Sequence, residues 1–156
     1  QTIETARQMG ATVESLEEGI RVSMRGRPHP IRLETGPYPE FPTDMQSVMM
    51  AAASIADGTS RIQENVFENR FCVAKELQKL GAHIIIENKL AVVDGVNTLK
   101  GTRVAAEDLR GGAALAVAAL AADGTSFLDG YEHISRGYED IRSDLAGAGA
   151  RISLIG

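Results

Sequence analysis

Residues 42–60 (PTDMQSVMMAAASIADGTS) and 108–126 (DLRGGAALAVAALAADGTS) align without a gap at an offset of 66 residues, and ADGTS recurs unchanged. A chain that repeats at this length folds its copies alike, and copies of one supersecondary unit pack about a shared axis. Equivalent positions then converge. Asp44 falls on Arg110 at the two helix starts, and Arg70 (VFENRF) falls on Arg136 (HISRGY). Four charged side chains in matched register outline an anion site.

A second signal has nearly the same period. A short helix ends in Gly-Ala and enters a strand at QMGATVE, KLGAHII and GAGARIS, with Gly10, Gly81 and Gly149 in the C-capping position. The complete unit spans 31–96. Strand IRLETG leads through the turn-rich GPYPEFP into a helix over 43–56, which Asp57-Gly58 stops. Strand SRIQENV, a loop with Glu68, Asn69 and Arg70, a helix over 71–80 and a hairpin (AHIIIEN, LAVVDGV) complete the order βαβαββ. The next copy supplies strand TRVAAED, a helix over 109–122, strand SFLDGY, a helix near 138–146 and strand ARISLIG. Residues 1–30 and 97–156 are thus partial units. Gln1 opens inside a helical pattern without a capping residue, which marks the chain as a piece of a longer protein, its first unit cut at the N-terminus.

The helix over 109–122, GGAALAVAALAA, is apolar almost all round and is expected to be buried on every side. The matching MQSVMMAAASIA is less extreme. Buried small-residue helices with strands outside them make an inside-out α/β barrel. With 156 residues, 44% of them hydrophobic, the chain suits one compact domain. A net charge of −5 argues against general affinity for nucleic acid or membrane. There is no apolar run long enough to span a bilayer and no signal-peptide pattern, so the cytoplasm is the expected location. The single Cys72 allows no internal disulfide and sits in an apolar stretch, where it is expected in the core. His29, His83 and His133 have no ligand spacing, so neither a metal nor another cofactor is expected.

Each charged residue has two readings. Asp44 in a first helical turn interacts favourably with the helix dipole or belongs to a site. Arg110 has the wrong sign for its helix start and wants an anion nearby, either Asp44 in a structural salt bridge or a ligand. Arg70 and Arg136, in strand-to-helix loops, are exposed arginines or a fork for carboxylate and phosphate.

FPTDMQ, VFENRF, LGAHI, DLRGGAAL and HISRGYE, in this order, resemble the UDP-N-acetylglucosamine 1-carboxyvinyltransferases, and the resemblance covers nearly the whole chain. It implies the enolpyruvyl transferase fold, two domains each built of three βαβαββ units, with substrates in the cleft between them. This chain resembles most of the second domain, so the missing first domain is an implied partner. The implied reaction moves the enolpyruvyl group of phosphoenolpyruvate to the 3-hydroxyl of UDP-N-acetylglucosamine through a tetrahedral intermediate, releasing phosphate. It is the step that opens peptidoglycan synthesis. By the same resemblance Asp44 contacts the sugar hydroxyl as general base. Arg70, Arg110 and Arg136 hold phosphoenolpyruvate or phosphate, and Val66 (through its backbone) and Phe67 border the sugar nucleotide.

The family's loop cysteine, its catalytic lysine and other phosphate ligands belong to the absent first domain, and Cys72 does not match that cysteine. The chain by itself is therefore expected to be inactive. Two other readings stand beside this one: the sister shikimate-pathway enolpyruvyl transferase, and a non-catalytic module that binds a sugar nucleotide.

Overall fold

The structure, a computed structural model, describes residues 1–155. Helix α1 (Thr2–Gln8) leads into a hairpin of β1 (Thr12–Leu16) and β2 (Gly19–Ser23). β3 (Arg32–Glu34) follows, then a 3-10 turn (Thr43–Met45) continuing into α2 (Gln46–Ala53). β4 (Thr59–Gln63), α3 (Val73–Lys79), β5 (His83–Glu87) and β6 (Leu90–Asp94) come next. After β7 (Leu99–Lys100) and β8 (Arg103–Ala105) the chain forms α4 (Leu109–Leu120), β9 (Ala122–Asp123), β10 (Phe127–Asp129), α5 (Tyr131–Ser135) and α6 (Ile141–Gly147).

The largest sheet has the order β3-β4-β6-β5, with β3 parallel to β4 and the other pairs antiparallel. Alternation along each strand sends one face inward. Leu33, Ile62, Ala91, Val93 and Ile84 are buried, while their strand neighbours are more open. The parallel pair recurs in the second copy, where β8 lies beside β10 with Val104 opposite Leu128, as Leu33 lies opposite Ile62.

Helices α2 and α4 pack on each other inside these strands, burying Met49, Met50, Ala51 and Ala53 against a core that includes Ala114, Leu115 and Ala118. Alanine lets the two backbones approach closely. Gly112 goes further: a Cβ there would lie 2.5 Å from Ile134 Cγ1 and 3.0 Å from Ala106 Cβ, so its lack of a side chain is what seats α5 on α4. Burial of α4 is not complete, because Val117 and Leu120, one turn apart on the same face, are exposed.

The three Gly-Ala steps adopt one geometry. Gly10, Gly81 and Gly149 have φ of +98°, +94° and +99°. In each, the following alanine N–H donates back five residues, Ala11 to Ala6, Ala82 to Leu77 and Ala150 to Leu145, at 3.0, 3.1 and 2.9 Å. These are Schellman closures of the helix C-termini, which require the left-handed conformation glycine adopts without steric cost.

Arg27 closes the C-terminal end of α2 from a distance in sequence. Its guanidinium donates to the carbonyls of Ile55 (3.1 Å) and Ala56 (2.5 Å), where α2 runs out, and to Val96 O (3.1 Å) and Asn97 Oδ1 (2.7 Å) after β6. A cation there complements the negative helix end.

Several expectations are corrected. The helix placed over 43–56 begins as a 3-10 turn and is regular only from Gln46 to Ala53; Ser54 Oγ donates back to Met50 O at 2.9 Å, a bond that competes with helical continuation. The helix near 138–146 starts only at Ile141, where the Asp140 carboxylate takes the N–H groups of Arg142 and Ser143. A separate helix, α5, precedes it, so Arg136 caps a helix C-terminus rather than occupying a plain strand-to-helix loop. ARISLIG is not a strand over 150–155, where no strand among the described residues pairs with it; Gly156 lies outside the described residues. Cys72 is exposed, not core, because it precedes the first buried turn of α3.

Candidate active site

The two repeat-related helix starts meet. Asp44 lies in the 3-10 turn before α2, and Arg110 is the second residue of α4. Arg110 Nε donates to Asp44 Oδ1 at 2.5 Å, and an Arg70 terminal nitrogen lies 3.5 Å from the same oxygen. Asp44 Oδ2 accepts no hydrogen bond among the described residues. The carboxylate is more open than either arginine, with 59% of its side chain exposed against 19% for Arg70 and 36% for Arg110.

The hydrogen bond from Arg110 holds the Asp44 carboxyl below its ordinary range, outweighing the opposing effect of burial, and the charges of Arg110 and Arg70 add to it. The same bond pushes the Arg110 guanidinium up. Asp44 is thus firmly ionised at neutral pH. Arg110 itself is placed by its helix: Asp108 caps α4, its Oδ1 accepting the N–H groups of Arg110 and Gly111 at 2.9 Å each.

Arg70 comes from the loop between β4 and α3. Its guanidinium sits 4.3 Å over the Phe67 ring, a cation–π contact that limits where the fork can point. Val66 and Phe67 are exposed beside it. The Val66 N–H donates to Glu64 at 2.8 Å, which leaves its carbonyl as the backbone group to offer a ligand. Phe67, Asn69, Arg70, Asp108 and Arg110 line an open cleft of about 520 Å³, and Val66 is not part of its lining.

Arg136 does not join the cluster. It is exposed at the C-terminus of α5 and makes no ion pair among the described residues. Its turn is nonetheless docked beside the site: Gly137 lies so close to Leu109, the residue before Arg110, that a Cβ would come within 2.6 Å of Leu109 Cδ2. Cys72 faces the cleft with its Sγ 3.5 Å from Asp108 Oδ2. Desolvation and the Asp108 charge raise its pKa, so the thiolate needed for nucleophilic chemistry is disfavoured.

Glu64 and Thr43 escaped the sequence reading. Glu64 is 1% exposed and accepts from Thr43 Oγ1 (2.8 Å), Val66 N (2.8 Å) and Phe67 N (3.0 Å). Burial alone would raise its pKa, but bonds from Phe67, Thr43, Val66 and Thr35 pull it below the ordinary carboxylate value. The only signal in the sequence is an acid just past the end of β4. Among the described residues, no group of three or more His, Cys, Asp and Glu side chains is arranged to hold a metal ion.

A carboxylate paired with two arginines that line a cleft, itself not among the lining residues, suits a substrate that brings both a hydroxyl and anionic groups. The sequence model of the EPSP synthase (3-phosphoshikimate 1-carboxyvinyltransferase) family matches residues 1–145. The chain belongs to this family. Relatives of this EPSP synthase-family chain include a UDP-N-acetylglucosamine 1-carboxyvinyltransferase of Anaeromyxobacter sp. (strain Fw109-5). It is 51% identical over 150 residues, which make up 96% of this chain and 36% of that protein. The protein of the same name from Desulfofundulus thermocisternus is 51% identical over 94% of this chain and 60% of its own length. Among solved structures, the enolpyruvyl transferase NikO from Streptomyces tendae superposes with a TM-score of 0.86 at 30% identity, over 96% of this chain and 35% of that one. EPSP synthase from Acinetobacter baumannii shares the fold, with a TM-score of 0.60 at 19% identity. The fold is therefore that of the enolpyruvyl transferases, and the EPSP synthase-family chain spans little more than a third of the Anaeromyxobacter relative.

Proposed function

We propose that this chain is the part of a UDP-N-acetylglucosamine 1-carboxyvinyltransferase that carries Asp44 and the arginine cluster, working with a first domain that lies outside it. The observation that carries the reading is the pairing of Asp44 with Arg110 and Arg70 on a single carboxylate oxygen. It leaves Oδ2 to accept the sugar 3-hydroxyl, while the arginines take the phosphate and carboxylate of phosphoenolpyruvate.

The chemistry follows from that division. The 3-hydroxyl oxygen bonds to C2 of phosphoenolpyruvate as its proton passes to Asp44, and a donor on the first domain protonates C3. Loss of a C3 proton then expels phosphate by cleavage of the C2–O bond. Held by two arginines, Asp44 is a weak base. When the anionic substrate draws Arg110 and Arg70 to itself, their hold on Asp44 loosens and its basicity rises as the hydroxyl arrives. Arg136, free of internal partners among the described residues, supplies a further cation to the phosphate. Oriented cations stabilise the charge that develops on the leaving group.

On this reading, residues 1–30 and 97–156 are incomplete units flanking the unit 31–96. The protein acts in the cytoplasm at the start of peptidoglycan synthesis; no helix among the described residues is long and apolar enough to cross a membrane. The family description also names 3-phosphoshikimate, so transfer to that acceptor is the second reading.

The test is phosphate release by the full-length protein from phosphoenolpyruvate with UDP-N-acetylglucosamine or with shikimate 3-phosphate, with Asp44→Ala and Arg136→Ala beside it. Release with the sugar nucleotide, lost in both variants, supports the proposal. Release only with shikimate 3-phosphate selects the second reading. No release from either leaves a binding module.

A further inference from the structure

Glu64 links the two halves of the site. One side of its carboxylate takes the N–H groups of Val66 and Phe67, and the other takes the hydroxyl of Thr43, the residue before Asp44. The neighbouring Asn65 N–H is held by Thr35 Oγ1 at 2.9 Å, so three successive amides of the loop are fixed. The contacts close into a ring. Glu64 holds Phe67, the Phe67 ring lies under Arg70, Arg70 approaches Asp44, and Asp44 is covalently joined to Thr43, which returns to Glu64.

A buried anion carries a large desolvation cost unless every bond to it is well made. A neutral side chain could close the same turn at lower cost. What the carboxylate adds is charge-assisted bonding, roughly twice as strong as the neutral kind, and hence a stiffer ring. The ring that Glu64 closes joins the loop of Arg70 to the turn of Asp44, which Arg110 holds from the other repeat at 2.5 Å.

We propose that Glu64, acting through Thr43 on one side and Phe67 on the other, is a positioning residue that fixes Asp44 and Arg70 for enolpyruvyl transfer. The inference rests on the reaction assigned above. Glu64 touches no substrate, and its effect is on the geometry of the groups that do. Misplacement of a reacting group by an ångström or so costs up to about a hundredfold in rate.

The test uses the full-length protein and four forms: wild type, Glu64→Gln, Thr43→Val and Thr43→Ser. Glu64→Gln keeps the shape and removes the charge. Thr43→Val keeps the shape and removes one arm of the ring, and Thr43→Ser keeps that arm. We expect Thr43→Val to lower kcat by about tenfold or more, with KM for both substrates nearly unchanged and the folded fraction unchanged. Thr43→Ser should keep near wild-type kcat, and Glu64→Gln should fall between. An active wild type with kcat within about twofold in Thr43→Val and Glu64→Gln would overturn the positioning role and leave the assigned reaction standing. So would a rise in KM alone, a loss tracking the unfolded fraction, or an equal loss in Thr43→Ser. An inactive but folded wild type would instead remove the assigned reaction, and this role with it.

Discussion

Asp44 and Arg110 hold the same position in successive repeats and are bonded to each other, Arg110 Nε to Asp44 Oδ1 at 2.5 Å. Duplicated copies ordinarily bring like residues together at their axis. Here the two copies have diverged to opposite charge at the point where they touch, so the contact that joins the repeats is also the centre of the candidate site.

The pair gives a pH signature. Asp44 has a folded-state pKa below its ordinary 3.8, so its contribution to stability is complete above that value and is lost as pH falls through the lower folded value. Asp44→Asn should therefore be less stable than wild type at pH 7 and equal to it in strong acid. Because the carboxylate is largely exposed, the difference at pH 7 is expected to be below about 1 kcal/mol. Urea unfolding of both forms at a series of pH values measures it.

Phosphate should compete for the same arginines. Inorganic phosphate is expected to raise the melting temperature of the wild-type chain more than sodium chloride of equal ionic strength does. At a concentration about a hundred times Kd the stabilisation would be about 2.7 kcal/mol. The Arg70→Ala, Arg110→Ala double variant should lose the phosphate-specific part. An equal shift in both forms would locate the anion elsewhere.

Arg27 predicts a stability effect remote from the site. Arg27→Ala leaves the carbonyls of Ile55, Ala56 and Val96 without their donor. The expected loss is about 1–3 kcal/mol, or roughly 2–4 °C of melting temperature for each kcal/mol in a chain of this size. Thermal unfolding measures it.

Gly112→Val should be costlier to the site than its distance from Asp44 suggests. The new side chain meets Ile134 and Ala106, and α5 must move. Overpacking of this kind costs about 1–3 kcal/mol. Because Arg136 ends α5, we expect a loss of activity in the full-length protein beyond the loss of folded material, read as kcat per folded molecule.

Cys72 should react slowly despite its exposure. Partial desolvation of the thiol, with the charge of Asp108 beside it, raises its pKa above the ordinary 9.0. Alkylation by iodoacetamide should show a midpoint above that pH, and a midpoint near neutrality would refute the assignment.

The sequence made some of this visible and hid the rest for physical reasons. Asp44, Arg70 and Arg110 are legible because a repeat converts a sequence offset into a spatial one. The three Gly-Ala closures are legible because a Schellman turn is local and glycine marks it. Glu64 and Arg27 are not, since Glu64 reaches Thr43 across 21 residues and Arg27 reaches its partners across 28 to 70, with no periodicity to tie the ends together. Arg136 shows the limit of the repeat argument. Its register matches Arg70, but residues 131–135 are helical where their equivalents 65–69 form a loop, and that helix carries the arginine out of the ion-pair cluster. Strand character over 150–155 follows from the repeated Gly-Ala signal, whereas a strand forms only where another offers its backbone.

Residues 27–28 meet residues 54–58 and 95–97, as Asp57 N–H donates to Pro28 O and Val96 N–H to Ser54 O. The chain therefore enters and leaves the unit 31–96 at one corner. A segment with adjoining ends can be copied and set beside the original without rerouting anything inside either. Growth by whole modules is then geometrically simple, and each added module is free to exchange the charge it presents to its neighbour.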